Sequence, residues 1–207
     1  MTEFILVRHG YSITNKSKSF TGQMDVPLDD VGKEQGKAVS DYIYNNYKVD
    51  AIYSSDLMRA KDTVSLLSEK TKLSVITRKD LREIDVGTFQ GRSFRELSEK
   101  YPEEIKMREE NPGEYRFPGG ESHKELLERA LYAIEKIAKE NEGKRVVIAT
   151  HGGVIRVLVC AFSGLGISQL SEVSRLHNAS ITVVKYDNGK AEFLLKDYTG
   201  HLPEETI

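Results

Sequence analysis

Two apolar runs in this chain stop at a histidine, and they constrain the fold more than any other feature. Residues 4–8 read Phe-Ile-Leu-Val-Arg and lead into His9-Gly10; residues 145–150 read Arg-Val-Val-Ile-Ala-Thr and lead into His151-Gly152-Gly153. Short, aliphatic runs without polar alternation suit strands buried on both faces, as in a largely parallel sheet. Residues 49–54, ending at Ser54-Ser55-Asp56, repeat the pattern, and 74–78 alternate weakly.

Helical patterns lie between these runs, over 30–47, 56–69 and 122–141. The last is the clearest: Leu126, Ala130, Ile134 and Ile137 keep a helical period behind Ser122 and Glu125, a capping box. Ser93 and Glu96 repeat that signature ahead of a shorter helix. Residues 153–162 are apolar nearly all round, so this helix is expected to be buried, with Gly164 as its stop. The tail changes character. Residues 180–186 and 190–196 flank Asp187-Asn188-Gly189, a hairpin turn, because Asn and Gly tolerate positive φ.

The expected fold is therefore α/β: a three-layer sandwich with a mainly parallel central sheet, helices on both faces and an antiparallel C-terminal hairpin. The 207 residues read as one domain, residues 1–207. Between about 87 and 120 the βα alternation breaks. Pro102, Pro112, Pro118, Gly113, Gly119 and Gly120 mark this stretch as an irregular, cap-like excursion beside the site.

Composition narrows the function classes. Lys+Arg 30 against Asp+Glu 32 leaves no global charge bias toward nucleic acid or membrane. The single Cys160 excludes an intramolecular disulfide framework and every multi-cysteine metal site. The N-terminus has no basic lead and too short an apolar run for a signal peptide, and no run approaches a membrane span. A cytoplasmic protein is expected.

In parallel sheets the carboxyl ends of strands form the ligand crevice, and two of the five histidines stand there. Arg8 adjoins His9, and Arg59 lies in the first turns of the helix after the second strand. Two arginines beside two histidines make a cationic pocket that implies an anion, and a guanidinium binds phosphate bidentately. Surface pairing of each arginine with Asp or Glu is the bland alternative. Zinc on His9 and His151 would be repelled by the arginines, so no metal and no cofactor is expected.

Six segments, in order, resemble the histidine phosphatase superfamily, the phosphoglycerate-mutase-like group. They are Leu6-Val7-Arg8-His9-Gly10-Tyr11-Ser12 with Asn15, residues 20–28, Tyr53-Ser54-Ser55-Asp56-Leu57-Met58-Arg59-Ala60 with Thr63, Leu81-Arg82-Glu83 through Gly87 to Gly91, residues 118–122, and residues 149–153. The resemblance spans nearly the whole chain and implies a phosphoglycerate mutase-like fold. It implies that His9 is a phosphate-accepting nucleophile, which must be neutral to attack; Arg8, Arg59 and a protonated His151 would all disfavour its cation. It further implies that Arg8, Arg59 and His151 hold the phosphoryl oxygens, with Asn15, Thr21, Gly22 and backbone near Gly152 completing the substrate site. Glu83 is the implied general acid, acting directly or through water; Asp56, Asp85 and Glu121 are rival carboxylates, and Glu121 could simply favour a helix N-terminus.

Within that family the chain departs from the mutases. Tyr11 follows Arg8-His9-Gly10 where mutases typically have Glu, Ile84-Asp85-Val86 follows Glu83 without their Arg-His-Tyr stretch, and the excursion lacks their paired arginines, keeping scattered cations such as Lys106, Arg108 and Arg116. Residues 22–28 and Phe89-Gln90-Gly91 resemble small bacterial phosphatases, including α-ribazole phosphatase-like and broad-specificity members. The expected activity is a metal-independent phosphomonoesterase acting on a small phosphorylated metabolite through phosphohistidine, as a monomer or homodimer. A cofactor-dependent phosphoglycerate mutase and a non-catalytic phosphate-ester binding module are the alternatives. Cys160 reads as inert core, His123 and His201 as solvent-facing, Lys16 to Lys18 as solvated, and Asn178 as a turn residue rather than a support for the site.

Overall fold

In the computed structural model, which describes residues 1–15 and 19–206, six strands form one sheet in the order β3-β2-β4-β1-β5-β6. The elements run β1 (Thr2–Arg8), α1 (Asp30–Asn46), β2 (Ala51–Ser55), α2 (Met58–Thr63), α3 (Ser65–Thr71), β3 (Val75–Arg78), α4 (Phe94–Lys100), α5 (Pro102–Glu110), α6 (His123–Glu140), β4 (Arg145–Thr150), α7 (Gly152–Phe162), β5 (Ile181–Asp187) and β6 (Lys190–Tyr198). β1, β4, β2 and β3 are parallel; β5 runs antiparallel beside β1, and β6 antiparallel beside β5. Lys16 to Lys18 lie outside the described residues.

The two histidine-terminated runs sit side by side at the centre, with Leu6 opposite Ile148 and Arg8 opposite Thr150. Strand periodicity then sends their side chains to both faces. Phe4, Leu6, Val146 and Ile148 join one core with α6 and α7; Ile5, Val7, Val147 and Ala149 join a second with α1 and α3. Burial on both faces is why these strands lack polar alternation. The terminal hairpin closes as expected: Asp187 pairs with Lys190, and Asn188 and Gly189 between them have φ of 48° and 84°, a two-residue turn with both residues left-handed.

The local structure corrects the sequence reading in two places. The helix expected over 56–69 is two helices, interrupted at Val64. Thr63 Oγ1 donates to the Arg59 carbonyl at 2.7 Å, one turn back, and accepts the Gly10 N–H at 3.0 Å. Back-bonding of this kind bends helices, and here it ties α2 to the histidine loop. The stretch over 87–120, expected to be irregular apart from a short helix after Ser93, carries that helix, α4, and a second, α5, that the sequence reading lacks. Ser93 caps α4 by accepting the Glu96 N–H, and Pro102 opens α5 at a position where its missing N–H costs nothing. Ser122 and Glu125 form the full capping box at the start of α6.

Candidate active site

The carboxyl ends of β1, β2 and β4 deliver Arg8-His9, the loop to Arg59, and His151 to one place. A cavity of about 240 Å³ there is lined by Arg8, His9, Asn15, Arg59 and Glu83, with Thr21 and Gly22 in its wall. The His9 and His151 rings lie edge to face with centroids 5.2 Å apart. Gly152 starts α7 directly against the Arg8 side chain: a Cβ on it would lie 3.1 Å from Arg8 Nε.

His9 is held in a single tautomer. Its Nδ1 donates to the Gly10 carbonyl at 2.7 Å; a carbonyl only accepts, so in the neutral ring Nε2 keeps its lone pair. The ring is buried, and burial first, then Arg59 and Arg8, push its pKa well below the usual histidine value. The backbone behind it is fixed. Asn178 Nδ2 donates to the carbonyls of His9 and Gly10, at 3.0 and 3.3 Å. A Cβ at Gly10 would stand 2.6 Å from the Gly32 carbonyl, so the histidine loop lies directly on the first turn of α1.

Burial, then Arg59 and His9, drive the pKa of His151 far down, so its ring is neutral rather than a cation. Its Nε2 lies 2.8 Å from Ser55 Oγ. That hydroxyl also accepts the Leu57 N–H at 3.3 Å and has one proton of its own; in the tautomer where Nε2 takes that proton as a hydrogen bond, the ring N–H is on Nδ1. His151 Nδ1, Arg8 Nε and Arg59 Nε are buried and, among the described residues, have no hydrogen-bond partner.

Arg59 is 1% exposed, yet its NH1 and NH2 donate only to the carbonyls of Met24 (2.7 Å) and Gly22 (2.9 Å). Arg8 donates to the Leu176 carbonyl. Among the described residues neither arginine makes an ion pair with a carboxylate, and desolvation lowers the pKa of both. Desolvating a guanidinium without a direct ion pair is costly, and the more distant Glu83 only partly offsets it, so the pocket favours an anion. Asn15 Oδ1 accepts the Ser12 N–H and Oγ–H at 2.8 and 2.7 Å, which orients its amide toward the cavity as a donor.

Glu83 reaches the cavity from the other side. Its Oε1 accepts the Ile84 N–H at 2.9 Å, and its Oε2 accepts the Gly153 N–H at 3.2 Å. A Cβ on Gly153 would lie 2.2 Å from Glu83 Oε1, so only glycine admits the carboxylate here. The rival carboxylates are engaged elsewhere. Asp56 holds Arg82 through two bonds of 2.6 Å, Asp85 accepts the Gly87 N–H, and Glu121 is paired with Arg129 while accepting the Asp85 N–H. Glu121 thus fastens the excursion rather than serving a helix terminus.

Some expectations are overturned. Asn178 supports the site rather than merely turning the chain. His123 is largely buried, with a pKa lowered to about 4 by burial and by Arg108, and His201 packs on Tyr42 and Tyr198 while its Nε2 bonds the Ala179 carbonyl. The support from Ser55 was carried by no periodicity; only its place beside Ser54 at a strand end hinted at it. Cys160 is buried in α7, as expected.

Comparison with known proteins adds a lineage. Residues 4–198 match the family model of the histidine phosphatase superfamily (branch 1). A metal-independent phosphoserine phosphatase of Arabidopsis thaliana is 38% identical over 89% of this chain and 76% of its own length. A phosphoglycerate mutase-like protein 4 of the same plant is 34% identical over 98% of this chain and 87% of its own. Among solved structures, Bacillus stearothermophilus YhfR superposes with a TM-score of 0.92 at 26% identity, covering 98% of this chain and all of that one.

Proposed function

The chain belongs to the histidine phosphatase superfamily, and from that premise we propose that it is a metal-independent phosphomonoesterase that works through a phosphohistidine on His9. One observation carries the reading: among the described residues the buried Arg8 Nε–H and Arg59 Nε–H are donors without partners, His151 Nδ1 is a third buried ring nitrogen without one, and they accompany a histidine whose Nε2 keeps its lone pair. Donors without acceptors are what a phosphoryl group supplies in oxygen atoms.

In the first step His9 Nε2 attacks phosphorus, the bond from phosphorus to the ester oxygen breaks, and Glu83 gives its proton to that oxygen, directly or through water. In the second, Glu83 takes a proton from a water that attacks the phosphohistidine; the P–N bond breaks and phosphate leaves. Arg8, Arg59, His151 and Asn15 stabilise the charge on the equatorial oxygens throughout, which is the larger part of phosphoryl transfer. Thr21, Gly22 and Gly152 border the ester. The arginines supply the charge stabilisation that a metal ion would otherwise give; among the described residues no three His, Cys, Asp or Glu side chains gather as a metal site.

The hydrolase reading is preferred to the mutase one because a mutase must keep phosphohistidine from water and hold a second acidic group with paired arginines, which this excursion lacks. A binding module would need the cations but neither His9 Nε2 nor Glu83. The substrate is a small phosphorylated metabolite, and a cytoplasmic monomer or homodimer belongs to the same reading. Among the described residues no helix is long and apolar enough to cross a membrane. Hydrolysis of p-nitrophenyl phosphate in EDTA tests the proposal: sustained turnover supports it, whereas loss on chelation and rescue by zinc or magnesium contradicts it. Interconversion of 2- and 3-phosphoglycerate without phosphate release would favour the mutase.

A further inference from the structure

The two peptide groups that follow the His9 ring are held at both ends. In the His9–Gly10 peptide, the carbonyl accepts the Ala179 N–H at 3.1 Å and an Asn178 Nδ2–H at 3.0 Å, while the Gly10 N–H donates to Thr63 Oγ1 at 3.0 Å. In the Gly10–Tyr11 peptide, the carbonyl accepts the His9 Nδ1–H at 2.7 Å and Asn178 Nδ2–H at 3.3 Å, while the Tyr11 N–H donates to Gln35 Oε1 at 2.8 Å. The side chains come from separate parts of the fold. Gln35 lies on α1, Thr63 ends α2, Asn178 sits in the loop before β5, and all are buried.

Each grip has one polarity. Thr63 Oγ1 gives its proton to the Arg59 carbonyl at 2.7 Å, so a lone pair faces Gly10. Gln35 Nε2 donates to the Thr206 carbonyl at 2.6 Å, so its oxygen faces Tyr11. Asn178 turns its amide nitrogen toward two carbonyls that would repel its oxygen. Ala179 takes a left-handed φ of 54°, rare for a residue with a Cβ, while its N–H reaches the His9 carbonyl. Gly10, lacking a Cβ, is the residue least able to hold a peptide orientation by itself. That orientation decides the chemistry. Burial keeps the His9 ring neutral, so the remaining choice is which nitrogen carries the proton. A Gly10 carbonyl facing Nδ1 keeps the proton there. A carbonyl turned away leaves Nδ1 without that acceptor, and a proton on Nε2 occupies the lone pair that must attack.

We propose that Asn178, Thr63 and Gln35 are positioning residues that clamp the Gly10 carbonyl against His9 Nδ1 and so keep Nε2 unprotonated for attack on phosphorus. This rests on the phosphohistidine reading above and identifies what holds that nucleophile ready. Among the described residues, the walls of the His9 cavity are built by other side chains, so the clamp acts through the ring.

The test joins a spectroscopic reading to two rates of loss. Long-range ¹H–¹⁵N spectra of protein labelled in histidine report which ring nitrogen of His9 carries the proton, with His9→Ala identifying the signal. Rapid quench of a single turnover measures phosphohistidine formation, and titration with inorganic phosphate measures the pocket. The wild-type ring is expected to be protonated at Nδ1. Asn178→Leu leaves the His9 carbonyl its Ala179 N–H and the Gly10 carbonyl its His9 N–H. In this variant an Nε2–H signal should emerge and phosphohistidine formation should slow by about 10- to 100-fold, with phosphate affinity kept within about 3-fold. A wild-type ring protonated at Nε2, or an Asn178→Leu protein with the wild-type tautomer and rate, overturns the clamp; phosphohistidine formed in the wild-type protein leaves the reading of His9 standing. A fall in phosphate affinity as large as the fall in rate means a generally loosened pocket and also overturns it. If Asn178→Leu does not fold, Thr63→Val and Thr63→Ser carry the same measurements. Thr63→Val should slow phosphohistidine formation and Thr63→Ser should restore it; equal rates in the two overturn the clamp. If the wild-type protein forms no phosphohistidine, the reading of His9 fails and the clamp with it.

Discussion

The two ends of the parallel strands carry comparable charge and treat it in opposite ways. At the amino ends, a cleft of about 410 Å³ is lined by Glu3, Lys48, Asp50, Lys144, Arg145 and Lys185. There Arg145 is paired with Glu3, its N–H goes to Asp50 at 2.9 Å, and the Met1 ammonium lies 3.6 Å from Asp187. At the carboxyl ends the cavity is smaller, about 240 Å³, but Arg59 is buried and Arg8 half-buried, and among the described residues their side chains hydrogen-bond to backbone carbonyls and keep a buried Nε without a partner. Size therefore does not mark the site. Cationic charge without a direct ion pair does, because the fold bears a desolvation cost there that Glu83 across the cavity offsets in part and an anionic ligand offsets further.

The sharpest way to break this contrast is to remove the nucleophile from the charged pocket. His9→Ala is expected to reduce turnover by at least on the order of 10⁴-fold while inorganic phosphate still binds, since the donors remain. Phosphate release at near wild-type rate would place the chemistry elsewhere. Glu83→Gln should slow hydrolysis of alkyl phosphates by on the order of 10²–10⁴-fold and p-nitrophenyl phosphate less, because nitrophenolate leaves without protonation. Equal losses on both substrates would turn Glu83 into a positioning group.

Comparing one arginine from each end sharpens the contrast further. Arg59→Met should reduce kcat/KM by about 10²–10³-fold and cost about 1–3 kcal/mol in stability, because the carbonyls of Gly22 and Met24 lose their donor. Arg145→Met, at the paired end, should leave turnover unchanged and shift stability by less than about 1 kcal/mol. Urea melts and steady-state assays of both variants check this, and similar activity losses would show that the two ends do not differ as described.

The smallest effect concerns pH. The folded state holds His9, His151, His201 and His123 below their ordinary pKa, His123 at about 4, chiefly by burial. The unfolded chain therefore binds more protons as pH falls below the usual histidine value of ~6.5, and stability should fall with it. The urea midpoint should be lower at pH 5.5 than at pH 7.5, with saturating phosphate narrowing the gap. A midpoint that rises on acidification would contradict the neutral assignment of these rings.

Much of this arrangement was legible in the sequence because strand burial and strand ends are local signals. The runs before His9 and His151, the Asn188-Gly189 turn and the Ser122 capping box each need only their neighbours. The break at Val64 was not legible, since Thr63 bends its helix partly to reach Gly10, a contact across 53 residues. α5 was hidden because prolines and glycines dominate the composition of its surroundings, although Pro102 is a helix-start residue; α4, by contrast, is announced by Ser93 and Glu96. Asn178, Ser55 and His123 take their environments from distant segments; local signals read Asn178 as a turn and His123 as solvent-facing and gave Ser55 no role, and the packing decided otherwise.

The most direct test is to mix the protein with ³²P-labelled substrate, quench it within the first turnovers in alkali, and map the label by peptide. Phosphohistidine is comparatively stable in base and lost in acid. The expected result is acid-labile label on the peptide containing His9, absent from His9→Ala and formed no more slowly than phosphate is released. Turnover without label on that peptide, or label that persists in the His9→Ala protein, would contradict a covalent role for His9.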